Sequence, residues 1–355
     1  MLTRLFPTPA FLSLPAVGID FSDNTMRFIA LKETTNGLIP SQFGEMSIPE
    51  GCMKGGRIAD EKLFGAFLSE VRKKYRLKYV RVAIPESQTY SFIATLDSLA
   101  AKDIQSAIEL VLEDNIPLRA TETVFDYHVV SHSEDVLRVQ VVAIADVSVQ
   151  SFCDTFLSAG LVPVSFELDS QAIARAVVPT EEEGACMIVD FGANRTGITI
   201  ATKGIAVFTS TLEFGGNMLV EKLQKDLALS LEDARQMKWE YGLSKNAEHK
   251  AVFESLISGV ITLKEEIARR SVYWQEKKEE LGGFPAISTV YLCGGHGNMK
   301  GLADYLSVEL KLKVVPANPW VNCLSFDRVI PDISSDLAMS YVTTIGLALA
   351  EYIHE

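Results

Sequence analysis

The sequence predicts a two-lobed α/β protein whose first lobe carries a small inserted α+β module. Three observations lead there. The chain has 355 residues, about twice an ordinary domain, so two lobes are expected rather than one core. The pattern Asp-Phe-x-x-Asn occurs twice at the end of a buried strand, as Asp20 to Asn24 and Asp190 to Asn194, 170 residues apart. Each copy leads straight into another strand, which reads as one strand–turn–strand duplicated in each of two related lobes. Between Pro85 and about Leu161 the grain changes to alternating stretches and short helices.

Residues 1–15 carry Pro7, Pro9 and Pro15 and only one positive side chain, Arg4. They read as a tail leading into the first strand, not as a signal peptide. Residues 16–85 form the first part of the first lobe. Strands are expected at Ala16–Asp20, Met26–Lys32 and about Leu38–Ile48. A helix follows at Asp60–Tyr75, with Leu63, Phe64, Phe67, Leu68, Val71 and Tyr75 on one face. The buried strand YVRVAI then ends at Pro85. Residues 86–160 form the inserted module. It holds a strand at Gln88–Leu96, a helix at Asp103–Glu113, a hairpin from Thr123 to Ala145 and a helix at Val147–Ala159. Ile104, Ile108, Val111 and Leu112 would face inward.

Residues 161–184 return to the first lobe through the strand Leu161–Leu168 and the helix Asp169–Val178. The acidic PTEEEG stretch is the linker. Residues 185–332 form the second lobe. Strands at Ala185–Phe191, Thr196–Thr202 and Ile205–Leu212 precede helices at Gly216–Leu227, Ser230–Glu240 and about Glu248–Glu280. Ser230 and Asp233 pattern as a capping box, with Gly242 as the stop. A strand at Ile287–Cys293 and a helix at Met299–Leu310 follow. Residues 333–355 return to the first lobe as a closing helix, Asp336–Tyr352.

Composition narrows the function. Hydrophobic residues make up 48% of the chain and charged residues 22%, which excludes disorder, collagen and coiled coil. The net charge of −13 argues against nucleic acid or anionic lipid as general partners. No uncharged apolar run reaches the ~18 residues of a membrane span, so a soluble chain is expected. The five cysteines, Cys52, Cys153, Cys186, Cys293 and Cys323, are odd in number and far apart. That fits neither a disulfide framework nor a CxxC metal site, and suits a reducing compartment. His128 and His132 fall in a strand pattern and read as half-exposed strand residues rather than ligands.

The chemistry lies in the turns. A tight polar turn aims several backbone N–H groups one way and makes an anion site. Two such turns facing each other across a cleft could grip a polyphosphate, with Asp20 and Asp190 holding Mg²⁺ largely through water. Two further glycine turns, Glu213-Phe214-Gly215-Gly216 and Gly294-Gly295-His296-Gly297-Asn298, run from strand into helix. Glycine there lets backbone approach a flat ring, and the helix N-terminus favours anions.

The order of phosphate turn, inserted module, second phosphate turn and GGxG turn resembles the actin, Hsp70 and sugar kinase superfamily. Within it the chain resembles the PilM family of type IV pilus assembly proteins, close to FtsA in layout. The likeness runs from Val17 to the C-terminus. It is most specific at VAIPESQTY, NIPL, FDYHVV and AGLVPVSFELDSQAIARA. LEFGGNMLVEKL, LCGGHGNMKGLADYLS and VVPANPW extend it into the second lobe. The resemblance implies a two-lobed actin-like (ribonuclease H-like) fold, with an inserted module of the FtsA/PilM type, and ATP with Mg²⁺ as ligand.

Carried over by position, Asp20, Ser22, Asp23 and Asn24 would form the first phosphate loop, and Asp190, Gly192, Ala193, Asn194 and Thr196 the second. Gly215 and Gly216 would lie near the ribose, and Gly294, Gly295 and Asn298 would line the adenine pocket. Lys238 would approach the nucleotide, and Asp169 and Gln171 would position a water for slow hydrolysis. Ser22 and Asp23 depart from the family's Asp-x-Gly-Ser/Thr pattern, and the Asp23 carboxylate would oppose a phosphate.

The function so implied is a cytoplasmic, ATP-binding adaptor. It would be held at the inner membrane by the N-terminal tail of a PilN-like protein, lying in a groove between the first lobe and the insertion. Pilus motor ATPases, and further copies of the chain in an oligomer or filament, are the other partners the resemblance admits. Two alternatives compete. An FtsA-like filament protein would end in a flexible linker and an amphipathic membrane helix, whereas LALAEY reads as a core helix. A sugar kinase would need a carboxylate base facing a sugar pocket, for which the sequence offers no site.

Overall fold

The computed structural model describes residues 16–98, 101, 103–244, 249–281 and 283–353. The expected N-terminal tail, 1–15, lies outside them. The first lobe opens with β1 (Val17–Phe21), β2 (Thr25–Thr34) and β3 (Gly37–Ser47). A small hairpin of β4 (Met53–Lys54) and β5 (Arg57–Ile58) leads to the helix Glu61–Tyr75 and then to β6 (Tyr79–Ile84). That helix buries Phe64, Phe67, Leu68 and Val71, while Leu63 in its first turn stays exposed. The inserted stretch contributes β7 (Thr89–Asp97), β8 (Thr123–His132) and β9 (Val136–Ala145), an antiparallel sheet in the order β7-β9-β8. The helix Ile104–Asn115 covers it with Ile108 and Leu112.

The last helix of the inserted stretch, Asp146–Ser158, packs elsewhere. It buries Phe152 and Phe156 among Phe21, Phe64 and Leu68 of the first lobe. Phe21 and Phe152 stand 5.7 Å apart, and Phe64 and Phe156 6.3 Å. β10 (Val162–Leu168) then rejoins the first sheet beside β6, and the helix Asp169–Val177 crosses toward the second lobe. There β11 (Ala185–Phe191), β12 (Thr196–Thr202), β13 (Ile205–Leu212), β14 (Ile287–Cys293) and β15 (Lys313–Pro316) make the second five-stranded sheet.

The two large sheets have one topology. The first runs β3-β2-β1-β6-β10 and the second β13-β12-β11-β14-β15. In each, the opening three strands are antiparallel and the last two join parallel to the first. The likeness extends to register: Asp20 pairs with Arg27 and Phe21 with Met26, while Asp190 pairs with Gly197 and Phe191 with Thr196. The duplication read from Asp-Phe-x-x-Asn is thus a duplication of a whole sheet.

Between the sheets lie two short helices, Asp169–Val177 and Val342–Leu349. Their side chains join Ile29, Leu31, Cys186 and Ile188 in one apolar cluster shared by both lobes. Gly346 makes this crossing possible, since a Cβ there would fall 1.7 Å from the carbonyl oxygen of Ala172. The single closing helix expected at Asp336–Tyr352 is broken into Ser335–Ala338, a 3-10 turn at Met339–Tyr341, and Val342–Leu349. The tightened turn lets Met339, Tyr341 and Val342 all reach the shared core. The helix expected from Met299 begins at Leu302, because Gly301 takes a left-handed conformation, φ 74°. All five cysteines are free thiols, four of them buried.

Candidate functional site

In open α/β sheets, ligands bind beyond the carboxyl ends of parallel strands, because backbone and side chains converge there. Those ends here bring four carboxylates close together between the lobes. Asp20 and Asp190 stand one residue before the ends of β1 and β11, Glu86 follows β6 and Asp169 follows β10. Three of them feel a neighbouring carboxylate. Burial raises Asp190 to about 6, and the charge of Asp20 pushes the same way. Asp169 is held well above the usual carboxylate range by burial and then by Glu86, Asp20 and Asp190. Asp20 and Glu86 are raised by burial.

Arg195 partly offsets this negative field. Its guanidinium lies 3.9 Å from Asp169 and acts on all four carboxylates. Sequence pattern singles out neither Arg195 nor Glu86. For Glu86 a signal exists: like Asp20 and Asp190, it stands at the end of a buried strand. Among the described residues, no three His, Cys, Asp or Glu side chains are grouped to hold a metal ion by themselves. A Mg²⁺ held mainly through water needs only one or two carboxylates.

The two Asp-Phe-x-x-Asn turns differ in construction. In the first, the Ser22 amide donates to the Thr25 carbonyl (2.8 Å) and the Ser22 hydroxyl accepts from the Thr25 amide (3.1 Å). Ser22 therefore does locally what a glycine would do through backbone freedom. Asp23 turns away from the cleft: its carboxylate accepts from the amides of Gly55 and Gly56, at 3.0 and 3.1 Å. The expected opposition between Asp23 and a phosphate is replaced by a tie to the β4–β5 hairpin. Asp23→Ala should accordingly leave any affinity for a polyphosphate within about twofold and lower stability by about 1 kcal/mol, the net worth of such bonds. Calorimetry and thermal melts of the variant check both halves.

In the second turn, Gly192 donates to the carbonyls of Asp190 and Arg195, both at 3.1 Å. Among the described residues, the amides of Asp23, Ala193 and Asn194 have no acceptor, so they are available to an anion. Thr196 is not. It is fully buried, and its hydroxyl donates to the Phe214 carbonyl at 2.6 Å. Thr196 thus pins the second turn to the Gly215-Gly216 turn. Gly216 and Asn217 complete the tie by donating to the carbonyls of Gly192 and Ala193.

The three glycine turns meet. A Cβ on Gly215 would fall 2.4 Å from the Ala193 carbonyl oxygen, and one on Gly294 would fall 2.3 Å from Oδ1 of Asp190. Gly294, at φ 79°, also needs the left-handed region. Gly295 faces Ser340 across 3.2 Å, measured from an added Cβ. The Asn298 side chain donates to Asp336, which ties the GGxG turn to the C-terminal segment. Lys238 is 4% exposed and donates to the Gly216 carbonyl at 3.1 Å. Burial lowers it to about 8. It borders a cleft of about 640 Å³ with Asn217, Arg235, Trp239 and His296, a volume suited to a small ligand.

Gln171 does not join the carboxylates. Its side-chain amide donates to the Gly204 carbonyl (3.1 Å) and accepts from the Ala206 amide (2.9 Å). One residue pair on the same helix therefore splits: Asp169 faces the carboxylate cluster, and Gln171 faces a second cleft of about 410 Å³. That second cleft lies where the inserted sheet, β10 and the C-terminal segment meet, and Arg81, Tyr127, Val142, Glu167, Arg175 and Ile353 line it. Glu167 bridges its two arginines, at 2.7 Å from Arg175 and 3.7 Å from Arg81.

Known proteins share this fold. The structure superposes on the PilM-PilN type IV pilus biogenesis complex with a TM-score of 0.76, at 20% identity over 96% of this chain and 99% of that one. MreB5 of Spiroplasma citri, bound to ADP, matches with a TM-score of 0.55 at 12% identity, over 94% of this chain and 95% of that one. In sequence, 109 residues are 29% identical to the cell division protein FtsA of Neisseria meningitidis serogroup B. That match covers 30% of this chain and spans about a quarter, 26%, of FtsA. No helix among the described residues is long and apolar enough to cross a membrane. The family model for type IV pilus assembly protein PilM matches residues 18–352, and with this actin-like fold around it the chain belongs to the PilM family.

Proposed function

We propose that this actin-like pilus assembly protein is an adaptor that binds Mg-ATP between its lobes and the tail of a PilN-like membrane protein beside its inserted module. One observation carries the nucleotide half: two sheets of the same topology bring four carboxylates and three interlocked glycine turns to one cleft. The residues fit the group. Amides of Asp23, Ala193 and Asn194 supply anion donors, Gly215, Gly216 and Gly294 let the turns close on one another, and Asp20 and Asp190 supply the charge that a hydrated Mg²⁺ would neutralise. Mg-ATP would bring to this cleft a triphosphate whose charge the metal partly cancels. The chain's own part is to hold the phosphates with backbone N–H groups and the metal with carboxylates.

Fast hydrolysis is not what this cleft is built for. Gln171 is committed to backbone groups, and Asp169 is paired with Arg195. Turnover without a partner should stay far below the ~10 per second of an ordinary enzyme. Calorimetry and thermal shift with Mg-ATP test the reading. Binding below millimolar concentration is expected, and no heat and no shift at millimolar Mg-ATP would overturn it.

The partner half rests on the second cleft. It lies outside the carboxylate cluster, is lined by both the first lobe and the inserted sheet, and mixes apolar walls with the Arg81–Glu167–Arg175 group. An extended peptide of about ten residues could use the edge strands β8 and β10 for main-chain hydrogen bonds and the cleft for a side-chain anchor. Ordering such a peptide costs ~1 kcal/mol or more per residue, so a modest affinity is expected. Through that tail the chain would sit at the cytoplasmic face of the inner membrane.

A further inference from the structure

His296 stands at the junction of the glycine turns, and its ring does what no glycine of its loop can do. It lies flat against Gly216: a Cβ there would fall 2.1 Å from Cδ2 and 2.4 Å from Cγ of the imidazole. The His296 amide donates to the Phe191 carbonyl at 3.0 Å, and the ring meets Phe191 edge-on at 5.8 Å. Nδ1 is 3.2 Å from Nζ of Lys238, the same amine that donates to the Gly216 carbonyl. The imidazole therefore bridges the Gly215-Gly216 turn, the GGxG turn and the Lys238 helix, and it forms one wall of the 640 Å³ cleft.

A flat base or sugar gripped between the two glycine turns needs the face of Gly216. The imidazole holds that face. We propose that His296 sets the affinity of the nucleotide site by competing with the nucleoside for Gly216, so that a bound nucleotide displaces the ring from Gly216 and Lys238. The inference rests on the nucleotide reading above. Its chemistry is consistent: burial and the neighbouring Lys238 push His296 down to about 4, so near pH 7 the ring is neutral and Nδ1 can accept from the lysine. Displacement would release Lys238 toward the ligand's oxygens, in the same slot where its amine now meets His296.

The test is calorimetric titration of the full chain with Mg-ATP, comparing wild type with His296→Ala and His296→Ser. Removing the ring should tighten binding roughly 5- to 20-fold, the worth of one net hydrogen bond and a ring contact. Equal or weaker binding by both variants, beside a wild type that binds, overturns the competition and leaves the nucleotide reading standing. No heat from any of the three proteins overturns both. In wild-type protein, the imidazole resonances of His296, assigned by their loss in His296→Ser, should move on saturation with Mg-ATP, while those of His128 in the second cleft stay. An unmoved His296 resonance at saturation overturns the proposal on its own, whether or not the variants fold.

Discussion

Asp190→Asn should abolish measurable Mg-ATP binding and, at the same time, raise the thermal midpoint of the protein. The two effects have one origin. Burial, reinforced by Asp20, lifts Asp190 from an ordinary value of 3.8 to about 6. The folded chain therefore binds a proton more readily than the unfolded chain between these values. Stability contributed by this group is greatest below the unfolded value and falls as pH rises through the folded one. At pH 7 the ionised carboxylate is a full liability. Each tenfold change in proton affinity is worth about 1.4 kcal/mol, and solvent screening of a half-buried side chain reduces the total to about 1–2 kcal/mol. Asparagine keeps the shape and carries no such cost, so a gain of about 2–5 °C at pH 7 is expected, shrinking toward pH 4. Without the carboxylate, however, the metal proposed for this cleft would lose a principal anchor, and Mg-ATP affinity should fall below what calorimetry measures. A variant that melts lower and binds as before would show that Asp190 is a structural residue and not a metal-side one.

Much of this is legible in the chain because the signals are local. Buried strands ending in Asp-Phe-x-x-Asn announce two sheets, and the register of both copies follows the same 170-residue offset. The capping box at Ser230 and Asp233 forms as its spacing implies, with Ser230 accepting from the Asp233 amide at 3.1 Å. What stays hidden depends on contacts distant in sequence. The partner of Asp23 lies 32 residues on, at Gly55, in a two-residue hairpin too short to pattern. Gln171 and Asp169 sit two apart on one helix, and only the position of that helix between the sheets decides which of them sees the cleft. Thr196 reads as a phosphate ligand by position, but its burial depends on where Phe214 returns. His296 hides inside a glycine loop, where sequence pattern explains the glycines and is silent on the residue between them.

The largest effect on the partner should come from Val142→Glu. Val142 is half-buried on β9, in the wall of the second cleft. Deleting the whole inserted stretch is a poor test of that cleft, because it would strip Phe152 and Phe156 from the first lobe's core and cost several kcal/mol for each large side chain lost. A point change avoids this. Position 142 is only half-buried, so a glutamate there keeps access to water and the fold should survive. The groove then loses an apolar wall, and an incoming anchor must desolvate a carboxylate, at a cost of about 2–3 kcal/mol. Titration with the N-terminal tail peptide of a PilN-like protein should therefore weaken about 30-fold or more. Mg-ATP binding should be unchanged, since the carboxylates and glycine turns lie in the other cleft. Val308→Glu, on the exposed face of the helix Leu302–Leu310 in the second lobe and itself 74% exposed, serves as the control and should bind the peptide like wild type. Equal peptide binding by folded Val142→Glu and Val308→Glu proteins would move the partner site away from the inserted module, and with it the reason proposed here for that module's presence.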